Sequence, residues 1–160
     1  MIDGPTIART LVELGVTDVV WLPDSMLGTW EPGLEADKSL RLLRVCREGE
    51  AWAMAAGLYL GGREPVVVIQ STGLFDSGDA LRNVLYDLKL PLFALIGYRS
   101  YLLPNSPDSA RRFAEPILRA WELDYLLLGE PADLEQLKAH RQACRAANKP
   151  CVVLLPEGMG

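Results

Sequence analysis

Val66-Val67-Val68-Ile69-Gln70-Ser71-Thr72-Gly73 is the stretch that decides the fold. Four β-branched residues in a row, without apolar–polar alternation, read as a strand buried on both faces, the pattern of a central strand in a parallel sheet. The run follows a turn, Arg63-Glu64-Pro65, and gives way to a polar, glycine-containing loop, Gln70 to Leu74. Loops at the C-terminal ends of parallel strands are where open α/β sheets bind ligands. Gly73 suits a backbone that takes positive φ or lets a ligand approach closely, and it suits an ordinary strand-to-helix turn equally well.

Just upstream lies Arg47-Glu48-Gly49-Glu50-Ala51-Trp52-Ala53-Met54-Ala55-Ala56-Gly57. Its small residues predict a closely packed helix running to about Leu60 and ending at Gly61-Gly62. Glu48 stands at its start with apolar flanks. A carboxylate there is favoured by the helix dipole, by about 0.3–1 kcal/mol when exposed. It serves either as a cap or as a proton-handling group in a cleft. Glu50, two residues on, faces elsewhere and reads as a solvated or interface charge.

The rest of the chain alternates helical and strand patterns, which implies βα units. A helix starts at Gly4-Pro5-Thr6 and ends at Gly15. Strands are predicted at Asp18–Leu22, Leu40–Val45, Leu90–Ile96, Asp124–Leu128 and Cys151–Leu155, and helices at Asp76–Leu88, Ala110–Trp121 and Pro131–Ala147. Leu27 to Leu34 stays ambiguous because Pro32 and Gly33 interrupt it. The expected fold is α/β: a three-layer domain spanning 1–160, with a mostly parallel six-stranded sheet flanked by helices. Periodicity alone allows other flavodoxin-like or Rossmann-like folds. The Gly-x-Gly-x-x-Gly fingerprint and the Walker pattern are missing, which disfavours the usual modes of nucleotide binding.

With 160 residues, 49% of them hydrophobic, the chain reads as one domain with a proper core. A net charge of −5 argues against a nucleic-acid partner. The apolar runs are far too short to cross a bilayer, and no secretory signal is visible at Met1-Ile2-Asp3-Gly4-Pro5. Cys46, Cys144 and Cys151 are scattered and odd in number, which fits reduced thiols in the cytoplasm. No Cys-x-x-Cys or histidine cluster suggests a metal site, and His140, the sole histidine, reads as a surface residue. The four tryptophans read as core or interface residues.

Glu48-x-x-Ala51, then Ala56-Gly57, then Pro65 to Gly73 resembles the pyrimidine-binding domain of thiamine-diphosphate enzymes. Within that superfamily, Leu22-Pro23-Asp24-Ser25-Met26-Leu27 is similar to the Val-Pro-Asp-Ser-Leu-Leu segment of phosphonopyruvate and sulfopyruvate decarboxylases. Pro91 to Arg99 resembles the strand-plus-Gly-Trp-Arg segment of the same enzymes. The motifs run from about Thr6 to Arg99, and the architecture extends to Leu155.

The resemblance implies thiamine diphosphate as cofactor and a small 2-oxo acid as substrate. A family glutamate hydrogen-bonds the aminopyrimidine N1′ and favours the imino tautomer, whose nitrogen takes the thiazolium C2 proton. By its place nine residues before Gly57, Glu48 carries that role, which calls for a buried, partly protonated carboxyl group. Ser71, Thr72, Gly73 and Leu74 would line the cofactor, and Asp24, Ser25, Gln70 and Arg99 the substrate. Asp24 and Ser25 would equally serve as a helix cap. Arg99 offers a fork matching carboxylate, sulfonate or phosphonate oxygens.

Two departures from the family pattern bear on the substrate. Where related decarboxylases show Asn-Ser-Gly-x-Gly-Asn, this chain has Ser71-Thr72-Gly73-Leu74-Phe75-Asp76, and Asp79 stands for a further asparagine. The family's Gly-Asp-Gly mark for Mg²⁺ and diphosphate is absent. The resemblance therefore implies a hetero-oligomer in which a separate β subunit supplies those contacts. The alternatives are a carboligase subunit of the same cofactor class, a non-catalytic scaffold of the same fold, and an unrelated α/β binding module.

Overall fold

Each apolar run becomes a strand, and all six strands run parallel. The computed structural model describes residues 2–129 and 133–158. The strands are β1 (Asp18–Trp21), β2 (Arg41–Arg44), β3 (Pro65–Gln70), β4 (Phe93–Tyr98), β5 (Tyr125–Leu127) and β6 (Cys151–Pro156), in the order β2-β1-β3-β4-β6-β5. The register is regular enough that Leu43, Val20, Val67, Ala94, Val152 and Tyr125 form one row across the whole sheet. The next row, Trp21, Val68, Leu95, Val153 and Leu126, points to the other face. β3, β4 and β6 are buried at every position, as unbroken apolar strands covered on both sides must be.

Helices fill both outer layers. On one face α3 (Glu48–Leu60), α4 (Ser71–Arg82) and α5 (Ser109–Ala120) pack Trp52, Leu74, Leu81 and Leu118 onto the first row. On the other, α1 (Gly4–Glu13), α2 (Glu31–Ala36) and α6 (Leu134–Ala146) pack Ile7, Leu11, Leu34 and Leu137 onto the second. Trp21, Trp30 and Trp52 are fully buried, so these three tryptophans serve packing.

Three readings change. The ambiguous segment is a 3₁₀ turn, Leu27–Trp30, followed by α2, whose first turn tolerates Pro32. The fourth strand starts at Phe93 and not Leu90, because Pro91 has no N–H for a ladder. Gln70 to Leu74 is not a loop. α4 begins at Ser71 directly from the strand, kinks at Gly78 and ends in a π turn, Asn83–Asp87. Ser and Thr belong in turns and in the first helical turn alike, and here Leu74, Ser77 and Leu81 supply the buried helical stripe. The first residues of the last predicted helix, Pro131 and Ala132, lie outside the described residues.

Candidate active site at the carboxyl ends of the strands

The strand order reverses between β1 and β3, and in open α/β sheets the crevice outside that point takes ligands. Asp24 follows β1 and Gln70 ends β3, so both stand at this crevice. Asp24 Oδ1 accepts hydrogen bonds from the Met26 and Leu27 N–H groups, each at 2.7 Å, and so caps the 3₁₀ turn. Its Oδ2 accepts from Gln70 Nε2 at 2.9 Å. Asp24 thus caps the turn with one carboxylate oxygen and holds the Gln70 amide with the other. The Thr72 hydroxyl donates to Gln70 Oε1 at 3.1 Å and fixes the amide.

The same amide reaches a residue that sequence reasoning missed. Gln70 Nε2 lies 3.4 Å from Glu157 Oε2. Glu157 follows β6 and is 1% exposed. Its Oε1 has no hydrogen-bond partner. A Cβ at position 97 would lie 2.1 Å from that oxygen, so glycine at 97 makes the room it occupies. Burial, and then the negative charge of Asp24, push the carboxyl up to about 8, against the opposing pull of Gln70 and Arg99. The signal in the sequence was a Pro-acid pair, Pro156-Glu157, after the buried run Cys151–Leu155, the same placement as Pro23-Asp24 after Asp18–Leu22.

Glu48 opens α3. Arg47 turns away from it and pairs with Asp76 at 2.8 Å. Glu50 Oε2 accepts from the Cys46 N–H at 3.1 Å, so the tie back to the chain before the helix is made by Glu50. Among the described residues the Glu48 carboxyl has no hydrogen-bond partner. It lies against Gly73 so closely that a Cβ there would sit 2.4 Å from Glu48 Cγ and 2.6 Å from Oε1. Trp52 Nε1 donates to Ser77 Oγ at 2.9 Å, and that hydroxyl donates to the Gly73 carbonyl at 2.6 Å. These bonds hold the two helix starts together. Ser71 Oγ is buried without a partner beside them. In this chain Glu48 is half-buried, short of the full burial that the role expected from the family resemblance calls for.

The remaining expected site residues scatter. Ser25 is exposed and its hydroxyl joins no hydrogen bond among the described residues. Leu74 packs into the core. Arg99 pairs with Asp108 at 3.0 Å, near enough to Glu157 for its charge to be felt there. Phe75 packs in an apolar groove of about 530 Å³ with Phe113, Pro116 and Ile117. Asp76 is neutralised by Arg47, and Asp79 by Arg82 at 2.7 Å. Both carboxylates are exposed, and Arg82 is shared between Asp79 and Asp87.

Residues 4–101 match the family described as thiamine pyrophosphate enzyme, N-terminal TPP binding domain. The chain belongs to this family. This thiamine pyrophosphate enzyme domain is 29% identical, over 99% of its length and 41% of the relative's, to a phosphonopyruvate decarboxylase of Streptomyces viridochromogenes. It is 31% identical to a sulfopyruvate decarboxylase subunit alpha of Methanococcus maripaludis, over 59% of this chain and 56% of that one. It thus spans less than half the length of the first of these relatives. In solved structures, benzoylformate decarboxylase from Polynucleobacter necessarius has the same fold, with a TM-score of 0.71 and 23% identity over 98% of this chain and 30% of that one. Among the described residues no helix is long and apolar enough to cross a membrane.

Proposed function

We propose that this domain is the pyrimidine-binding subunit of a two-chain thiamine-diphosphate-dependent 2-oxo acid decarboxylase of the sulfopyruvate or phosphonopyruvate type. One observation carries the reading. Among the described residues the Glu48 carboxyl has no hydrogen-bond partner at the mouth of α3, where it is pressed against Gly73, while Glu50 makes the helix tie. A carboxylate that caps nothing and pairs with nothing is available to a ligand.

The residues present fit the aminopyrimidine end of the cofactor. Glu48 offers a hydrogen-bonding carboxyl, Ser71 an unsatisfied hydroxyl, and Gly73 a backbone without side-chain bulk. Bound there, thiamine diphosphate supplies the electron sink that loss of carbon dioxide from a 2-oxo acid requires. Glu48 holds a proton at the aminopyrimidine ring nitrogen, and a second chain closing over the half-buried carboxyl would complete its desolvation. Asp24, Gln70 and Arg99 face the substrate end. Mg²⁺ and the diphosphate fall to the partner β subunit. The names of two relatives as alpha subunits support that division.

The test is recovery of the tagged chain from its native cell, followed by assay of carbon dioxide release from sulfopyruvate and phosphonopyruvate. The expected result is a stoichiometric second chain carrying Gly-Asp-Gly and a complex whose turnover needs added thiamine diphosphate. A chain recovered alone, with no cofactor-dependent release of carbon dioxide, overturns the reading.

A further inference from the structure

The opposite end of the sheet carries a second constellation that the proposed reaction does not use. His140 and Cys144 stand four residues apart on α6, so they share one face of the helix. Cys151 opens β6, just beyond the turn that closes α6. Scattered in the sequence, the three are brought together by the packing of α6 on β6. One nitrogen and two sulfurs lie within 4.8 Å of one another. Cys144 Sγ and His140 Nε2 are 3.7 Å apart.

We propose that His140, Cys144 and Cys151 form a soft-metal site that binds Zn²⁺ through one imidazole and two thiolates, with the fourth position open to water. With Zn–S near 2.3 Å and Zn–N near 2.0 Å, tetrahedral geometry puts neighbouring sulfur and nitrogen about 3.5 Å apart and two sulfurs about 3.8 Å apart. The His140–Cys144 spacing already fits, and the other gaps close by at most about 1.3 Å. Two sulfurs and an imidazole select Zn²⁺ over the hard cations Mg²⁺ and Ca²⁺. The inference is independent of the proposed reaction.

Arg141 supplies a second observation. It lies between the two helical ligands in sequence, is 5% exposed, and stacks over Phe93 with 5.0 Å to the ring centroid. Its Nη2 donates to Glu64 at 3.3 Å, but among the described residues Nε and Nη1 have no partner. A buried guanidinium with idle N–H groups calls for an acceptor. A metal-bound thiolate is a permanent anion of that kind. Zn²⁺ and two thiolates sum to zero charge, so Arg141 and its neighbour Arg145, itself paired with Glu64 at 2.9 Å, do not oppose the site. Binding would release both thiol protons to solvent and staple the end of α6 to β6.

The experiment uses the purified chain, metal-free and kept reduced, titrated with Co²⁺ as the optical stand-in for Zn²⁺. The expected result is a thiolate-to-cobalt charge-transfer band in the near ultraviolet that saturates at one equivalent, is bleached by equimolar Zn²⁺ and is indifferent to Mg²⁺. It is absent from Cys144→Ser and weaker, with displaced visible bands, in His140→Gln. Both positions are half-buried on a helix, so the variants fold, as far-ultraviolet circular dichroism would verify. Three results overturn the proposal: no band at one equivalent; a band that survives Cys144→Ser, which assigns the cobalt to the exposed Cys46; or a native Cys144–Cys151 disulfide whose reduced form takes up no Co²⁺.

Discussion

Two buried carboxyl groups sit at opposite ends of the same sheet and are treated in opposite ways. Asp18 opens β1 and is wholly buried. Arg41 and Arg63 each donate to it at 2.6 Å and the Thr17 hydroxyl donates at 2.7 Å. Burial pushes its carboxyl up, but the hydrogen bonds of Arg63, Thr17 and Arg41 outweigh burial and hold it below the usual carboxylate range. Glu157 follows β6, equally buried, with one long hydrogen bond and one oxygen that has none. Burial wins there and the carboxyl rises to about 8. At the amino end of the sheet Asp18 has all its charge satisfied and serves stability. The carboxyl end leaves Glu157, Ser71 and Glu48 short of partners, as a surface waiting for a ligand would.

The difference can be broken from either end. The largest expected effect is at Glu157. Between an unfolded value of about 4.3 and its folded value, the folded chain holds a proton that the unfolded chain has lost, so its contribution is lost as pH rises through about 8. Glu157→Gln removes that slope. In urea unfolding at pH 9 it should be more stable than the wild type by on the order of 3 kcal/mol, with little difference at pH 4.

At the amino end the sign reverses. Asp18 contributes stability above its unfolded value of about 3.9, and the contribution is lost as pH falls through its lowered folded value. Asp18→Asn should cost about 1–3 kcal/mol at pH 7, discounted because both arginines are half-exposed and return to water. Urea unfolding at pH 7 and in acid checks both the size and the direction.

The smallest effect on stability is expected from Gly73→Ala, which sharpens the comparison by separating fold from function. The three atoms nearest an added methyl all belong to the Glu48 side chain, from Cγ outward, so it is Glu48 that must shift. Stability should change by less than about 1 kcal/mol. Turnover of the assembled enzyme should nonetheless fall on the order of 10²-fold, because Glu48 is displaced.

Much of the sheet was legible in the sequence because parallel strands buried on both faces must be unbroken apolar runs, and Val66 to Ile69 is one. The bounds of α3 were legible for a similar reason: Gly61 and Gly62 cannot be mistaken for helix interior. Ser71 to Gly73 was misread as a loop because the polar residues of a first helical turn look like those of a turn. Composition could not assign the helix tie to Glu50 and leave Glu48 free, since both stand in the first turn of one helix. For Glu157 the sequence showed only an acidic residue after an apolar run; its burial was hidden for a deeper reason. Its environment is built by Gly97 and Gln70, which only the sheet topology brings beside it. The His140, Cys144 and Cys151 cluster is assembled the same way, by packing and not by a spaced motif.

The central claim is that Glu48 is held free for the cofactor's aminopyrimidine. The most direct test is the rate of hydrogen–deuterium exchange at C2 of thiamine diphosphate bound to the assembled complex, followed by proton NMR for wild type and Glu48→Gln. A fall of about 10²–10⁴-fold in the variant, with cofactor still bound, is the result predicted here. An unchanged exchange rate would contradict it and return Glu48 to the ordinary role of a charge at a helix start.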